Sequence, residues 1–163
     1  MTLHRPANVD DAAVLGKIVS AFCEAAERLP LVFPVHPRTR KSLKKTGLYS
    51  KLKRSPGIRI SEPLGYIPFM NLVFNSRLVI TDSGGIQEET SYLGIPCLTL
   101  RPNTERPITI SQGTNRLCNP EHLLQEFTKA LEDQPGQREP IELWDGHTAE
   151  RAVSYTHLTL PTN

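Results

Sequence analysis

Strong net charge is missing from this chain. Its 19 basic and 17 acidic side chains nearly cancel over 163 residues, leaving +2, so no whole-molecule field draws it to nucleic acid. Long apolar runs are missing too: none approaches the ~20 residues that cross a bilayer. No basic, apolar and small-residue leader opens the chain, because His4, Arg5 and Pro6 interrupt it at once. The cytoplasm is therefore the expected compartment, with no membrane partner. Cysteine is scarce. Cys23, Cys97 and Cys118 are odd in number, far apart and without a CxxC pair, which excludes a disulfide framework or a thiolate metal site. They read as reduced thiols in or near the core. There is no internal repeat. Hydrophobic residues at 38% and charged ones at 22% rule out a disordered chain, and the length suits one domain.

One local departure from charge balance is "RTRKSLKKTGLYSKLKR", Arg38 to Arg54. It reads as a solvated helix face plus loop, since charge runs are usually surface. A nucleic-acid patch is the sharper alternative, and the balanced remainder of the chain speaks against it.

Short apolar runs alternate with helical patterns. Strands are expected at Leu31–His36, Ile58–Ser61, Arg77–Asp82 and Pro96–Arg101. Asp10 or Asp11 can cap a helix carrying Val14, Leu15, Ile18, Val19 and Phe22 at i, i+3, i+4 spacing. Further helices are expected at Tyr66–Phe74, at Gly85–Leu93 before Gly94 and Pro96, and at Pro120–Leu131. Strands with continuous apolar runs, separated by helices, imply a parallel sheet covered on both faces. The expected architecture is a single doubly wound α/β unit over residues 1–152. Asp133–Gly146 lacks periodicity and reads as a loop. Residues 153–163, "VSYTHLTLPTN", read as a disordered or non-native tail.

Doubly wound sheets bind ligands at the carboxyl ends of their strands. Five segments fall there. In "TDSGGIQEE", Gly84 and Gly85 let backbone N–H groups approach an anion, and the following helix points its dipole at the same spot. Ser83 suits either a helix cap or a phosphate contact. Glu88 and Glu89 suit the dipole, and one turn in, a carboxylate can also reach a ribose diol. "LRPNTERP" brings Arg101 and Arg106, whose forks suit phosphate oxygens. His4 in "TLHR" and His36 in "PVHP" are proton donors or structural groups. Phe69 is a core residue or a stacking platform for a base. Their joint position points to a nucleoside-diphosphate site.

"TLHRPANVDD", "VFPVHPRTR", "PLGYIPFMNLVFNSRLVITDSGGIQEE", "LGIPCLTLRPNTERP" and "GTNRL" together resemble the C-terminal half of the UDP-N-acetylglucosamine 2-epimerase family, in its non-hydrolysing branch. The resemblance runs in order from about Thr2 to about Leu131. It implies a Rossmann-like domain, the second of two in a GT-B arrangement with the active site between them. By that analogy Ser83, Gly84 and Gly85 bind the diphosphate and Glu89 takes the ribose hydroxyls. Phe69 lies by the uracil, Arg106 reaches the phosphates, and His4 is the catalytic residue near the leaving phosphate. Arg5 belongs to the substrate-binding set and steadies the His4 loop. Glu88 receives no ligand contact. The implied reaction interconverts UDP-GlcNAc and UDP-ManNAc by elimination and re-addition of UDP, with no metal and no cofactor. A homodimer is implied for the full-length enzyme.

The chain also departs from the family pattern. Ala7 stands where a glutamate is frequent, which argues against any role for that loop beyond His4 and Arg5. Leu64 replaces a glutamine, and Ile108 follows "TERP" where glutamate is common. The N-terminal domain that supplies the C2 acid and base is absent, so the expectation is a partial enzyme, inactive alone. A glycosyltransferase nucleotide half and a non-catalytic nucleotide-sugar binding module are the alternatives.

Overall fold

The computed structural model describes residues 1–133 and 141–159, with side chains as far as 156. Five short strands run parallel. β1 (Leu31–Pro34) pairs with β2 (Ile58–Ser61), Leu31 opposite Ile58. β3 (Val79–Thr81), β4 (Cys97–Thr99) and β5 (Asn115–Leu117) form a second ladder in that order, with Val79 opposite Cys97 and Cys97 opposite Asn115. The segment Met1–His4 joins the two. It belongs to no strand, yet the Met1 amine donates to Val32 O at 2.8 Å on one side and Thr2 N–H donates to Ile80 O at 2.9 Å on the other. The expected single sheet is thus two ladders with the N-terminal segment between them.

The helices are α1 (Pro6–Val9), α2 (Ala12–Ala25), α3 (Pro37–Lys45), α4 (Leu48–Arg54), α5 (Tyr66–Phe74), α6 (Gly84–Leu93), α7 (Ile108–Ser111), α8 (Leu123–Glu132) and α9 (Thr148–Thr159). A 3-10 turn, Pro120–His122, leads into α8. Asp11 caps α2, its carboxylate accepting from Ala13 N–H at 2.7 Å and Val14 N–H at 3.1 Å. The basic stretch forms α3 and α4, separated by Gly47 at φ 73°. α6 stops at Gly94, whose φ of 70° favours glycine at a helix end.

Alternation along the strands shows why the sheet is doubly wound. Ile80 and Leu98 face one way and join the larger core, with Leu15, Ile18 and Phe22 of α2, Leu43, Leu52, and Phe127 of α8. Val79 and Cys97, one residue earlier on each strand, face the other way and pack with Val73, Phe69 and Met70 of α5 and Ile86 and Leu93 of α6. Successive side chains on a strand point to opposite faces, so two apolar clusters require helices on both sides. Phe22 and Phe33 meet edge to face with ring centroids 5.9 Å apart in the larger core.

Several elements differ from the sequence expectation. β5, α1 and α7 are too short, at three or four residues, to carry a readable period. α9 covers 148–159, where no element was expected. Asp145 accepts from His147 N–H and from Arg151 at its start, a local polar hold rather than an apolar stripe. The loop expected at Asp133–Gly146 lies partly outside the described residues, as do 160–163.

Candidate functional site

The carboxyl ends of the segment Met1–His4, β3 and β4 converge, and Asp82 is their hub. It directly follows β3 and is fully buried. Its carboxylate accepts from His4 N–H at 3.0 Å, Arg5 N–H at 2.9 Å and Asn8 Nδ2 at 3.1 Å. His4 Nδ1 lies 2.9 Å from the same carboxylate. Holding Nδ1 this way fixes the imidazole and leaves Nε2 as the ring nitrogen able to serve a reacting group. Arg5 Nε donates to Asp82 O at 2.9 Å, so Arg5 does steady the loop. Asn8 also donates to Leu100 O at 2.9 Å and ties the loop to the end of β4. Asn8 thus gives the loop a structural tie beyond His4 and Arg5.

At the start of α6, Ser83 is the N-cap residue by backbone position but makes no capping bond with its side chain. The first-turn N–H groups therefore lack that competitor. A Cβ on Gly84 would lie 2.6 Å from Glu105 Oε1 and 2.9 Å from Arg106 Nη1. Glycine there lets the "TERP" loop close onto the helix end. Gly85 faces open space.

Glu105 gathers the cations. Its carboxylate is 2.6 Å from Arg101, 3.0 Å from Arg106 and 3.9 Å from Arg5. Arg101 foremost, then a backbone hydrogen bond and Arg106, hold the Glu105 carboxyl down at about 2. Arg106 Nε also sits 2.5 Å from Glu88 Oε2, a contact of charge whose N–H is not aimed at the oxygen. Glu88, given no ligand role, is thus a partner of Arg106. Arg101 is 9% exposed and pairs with Glu105 through Nη2, while its Nη1 is buried with no hydrogen-bond partner among the described residues, and Arg106 is the more exposed fork.

Glu89 lies one turn into α6. Its Oε2 is buried with no hydrogen-bond partner among the described residues. An acceptor so placed costs about 1–3 kcal/mol unless a donor reaches it, and a ribose diol supplies two. Glu89 also raises the Tyr66 phenol, by its charge first and then by hydrogen bonding, which puts the start of α5 beside it. Phe69, on the next turn of α5, is half-buried and shares an apolar seam with Ile86 of α6. His36 caps α3 with Nδ1 accepting from Arg38 N–H at 3.2 Å, and its ring centroid is 5.9 Å from that of His4.

The structure brings His4, Arg5, Ser83, Gly84, Gly85 and Arg106 to one edge, with Glu89 and Phe69 on the two adjoining helices. Sequence reasoning missed Asp82, Asn8 and Glu105. A polar residue closing a β-branched strand, as in "VITD", was the available signal for Asp82.

Fold and edge together define a Rossmann-like α/β domain with a glycine turn, arginines and an Asp82-held histidine at its strand ends. The family model described as UDP-N-acetylglucosamine 2-epimerase matches residues 1–157, and the chain belongs to that family. It is 40% identical over 158 residues to the UDP-N-acetylglucosamine 2-epimerase of Methanococcus maripaludis, covering 94% of this chain and 43% of that protein. The Methanocaldococcus jannaschii enzyme is 42% identical over 157 residues, with 94% and 42% covered. The crystal structure of the latter in complex with UDP-GlcNAc and UDP superposes with a TM-score of 0.83 at 41% identity, over 96% of this chain and 44% of that one. The chain therefore spans less than half the length of these relatives.

Proposed function

We propose that this chain is the UDP-gripping half of a UDP-N-acetylglucosamine 2-epimerase, the C-terminal domain of a GT-B pair. The observation that carries the reading is the junction of the Ser83–Gly85 turn with Arg106 and the Asp82-held His4. Departure of UDP from the sugar puts negative charge on the β-phosphate. Backbone N–H groups at the start of α6, its dipole and Arg106 favour that charge as it develops. His4, with Nδ1 against Asp82, presents Nε2 to donate a proton to the departing oxygen and to recover it on re-addition. Glu89 accepts from the ribose hydroxyls, and Phe69 lines the uracil end. The reading is supported by a UDP-bound relative of closely similar fold. The family match removes the ground for a glycosyltransferase half.

Calorimetric titration with UDP tests the grip. Saturable binding is expected, and Glu89→Ala should weaken it by roughly tenfold, the value of one or two charge-assisted hydrogen bonds. Unchanged affinity in that variant would remove the ribose role. C2 epimerisation is expected only when an N-terminal domain of the family is added in trans. Robust turnover by the chain alone would overturn the division of labour.

A further inference from the structure

A buried polar network joins the two halves of the phosphate edge from beneath. Gln87, on the inner face of α6, is fully buried. Its Nε2 donates to Ser83 O at 3.1 Å. Its Oε1 accepts from Thr104 Oγ1 at 2.6 Å and from Asn115 Nδ2 at 3.0 Å. Thr104 Oγ1 in turn accepts from Arg106 N–H at 3.0 Å. Asn115, on β5, has its Oδ1 bonded by Thr99 Oγ1 at 2.6 Å and donates to Thr109 Oγ1 at 3.2 Å. Thr109 Oγ1 then donates to Arg106 O at 2.7 Å.

The chain of bonds therefore ends on both backbone atoms of Arg106 and on the carbonyl of Ser83. Stability alone does not call for it. Apolar side chains of the same volume hold a sheet and helix together at least as well as buried polar ones. A satisfied buried network gives fixed geometry instead. The Arg106 side chain itself is partly exposed and, among the described residues, is held by Glu88 and Glu105, two half-exposed carboxylates. Its backbone is where precision can be imposed.

We propose that Gln87 and Thr104 are positioning residues that set Arg106 in register with the Ser83–Gly85 turn, so that both meet one diphosphate. The proposal rests on the UDP-binding reading above. It assigns them the phosphate-dependent part of affinity and not the fold.

Thr104→Val keeps the shape and removes the hydroxyl that links Gln87 to Arg106 N–H. NMR titration should show UDP affinity about tenfold weaker, the worth of a misaligned phosphate contact, with uridine affinity unchanged. Hydrogen exchange at the Arg106 amide should quicken. Thr104→Ser should restore UDP affinity to within about twofold. Gln87→Met, which removes the amide at similar volume, should repeat the Thr104→Val pattern. Wild-type UDP affinity in folded Thr104→Val, or equal losses for UDP and uridine, overturns the inference. Absence of saturable UDP binding by the unmodified chain overturns the reading of the site itself, and this inference with it.

Discussion

Asp82 shows how one buried side chain can organise the loop that carries His4 and Arg5. It follows β3 directly, is buried, and accepts from two backbone N–H groups and an amide while holding His4. Replacing it with alanine strands those donors. Asp82→Ala should cost about 3 kcal/mol of stability, measured by urea unfolding, because each buried orphan costs about 1–3 kcal/mol. A loss below about 0.5 kcal/mol, the range of ordinary surface changes, would show that water takes over the hub. Glu105 makes a second residue-scale prediction. Its carboxyl is held at about 2, below the ordinary glutamate value in the unfolded chain. The stability it contributes is complete above the unfolded pKa and is lost as pH falls through about 2. Carboxyl NMR should therefore show Glu105 ionised throughout the range where ordinary glutamates titrate. A midpoint near the usual value would mean that Arg101 and Arg106 do not act on it. The burial of Cys97 pushes its thiol up to about 11, and that of Cys118 likewise to about 11, so neither should be alkylated by iodoacetamide at neutral pH.

Among the elements, the α6 terminus joins local sequence to function. "SGG" ends the strand turn, and its first glycine admits the "TERP" loop. Gly84→Ala would set a methyl group 2.6 Å from Glu105 Oε1 and 2.9 Å from Arg106 Nη1. Both neighbours are the ends of side chains, so they can move and the fold should survive within about 1 kcal/mol. Arg106 would then leave its place over the turn, and UDP affinity should drop by about tenfold. Calorimetry on a variant with an unshifted melting temperature checks this. Unaltered affinity would mean that Arg106 binds from elsewhere. The helices with long apolar periods, α2 and α8, were legible because period and length reinforce each other. β5 and α7 were not, since three or four residues contain no period and their places are set by pairing with β4 and by Asn115. The hydroxyl of Ser83 was ambiguous on sequence, and the observed turn leaves it out of the cap.

For the molecule as a whole, two apolar clusters on opposite sheet faces hold the strand ends in place. Phe22 sits wholly within the larger one. Phe22→Ala should cost about 3–5 kcal/mol by loss of transfer energy and by the cavity left. Thermal unfolding monitored by circular dichroism measures it, and a change under about 1 kcal/mol would mean the core refills. The order of apolar runs, the glycine turn after a β-branched strand and the arginines after the next one follow from the sequence. So did the doubly wound class, because strands buried on both faces read as unbroken apolar runs. Tertiary structure alone decided what those residues meet. Asp82 takes hold of His4 from 78 positions away, Glu105 meets Arg5 of a separate loop, and Gln87 reaches Asn115 across 28 positions. Such pairings depend on which strand ends the fold makes neighbours. Local period and propensity act over one or two turns of chain, and they contain no information about a partner that far away.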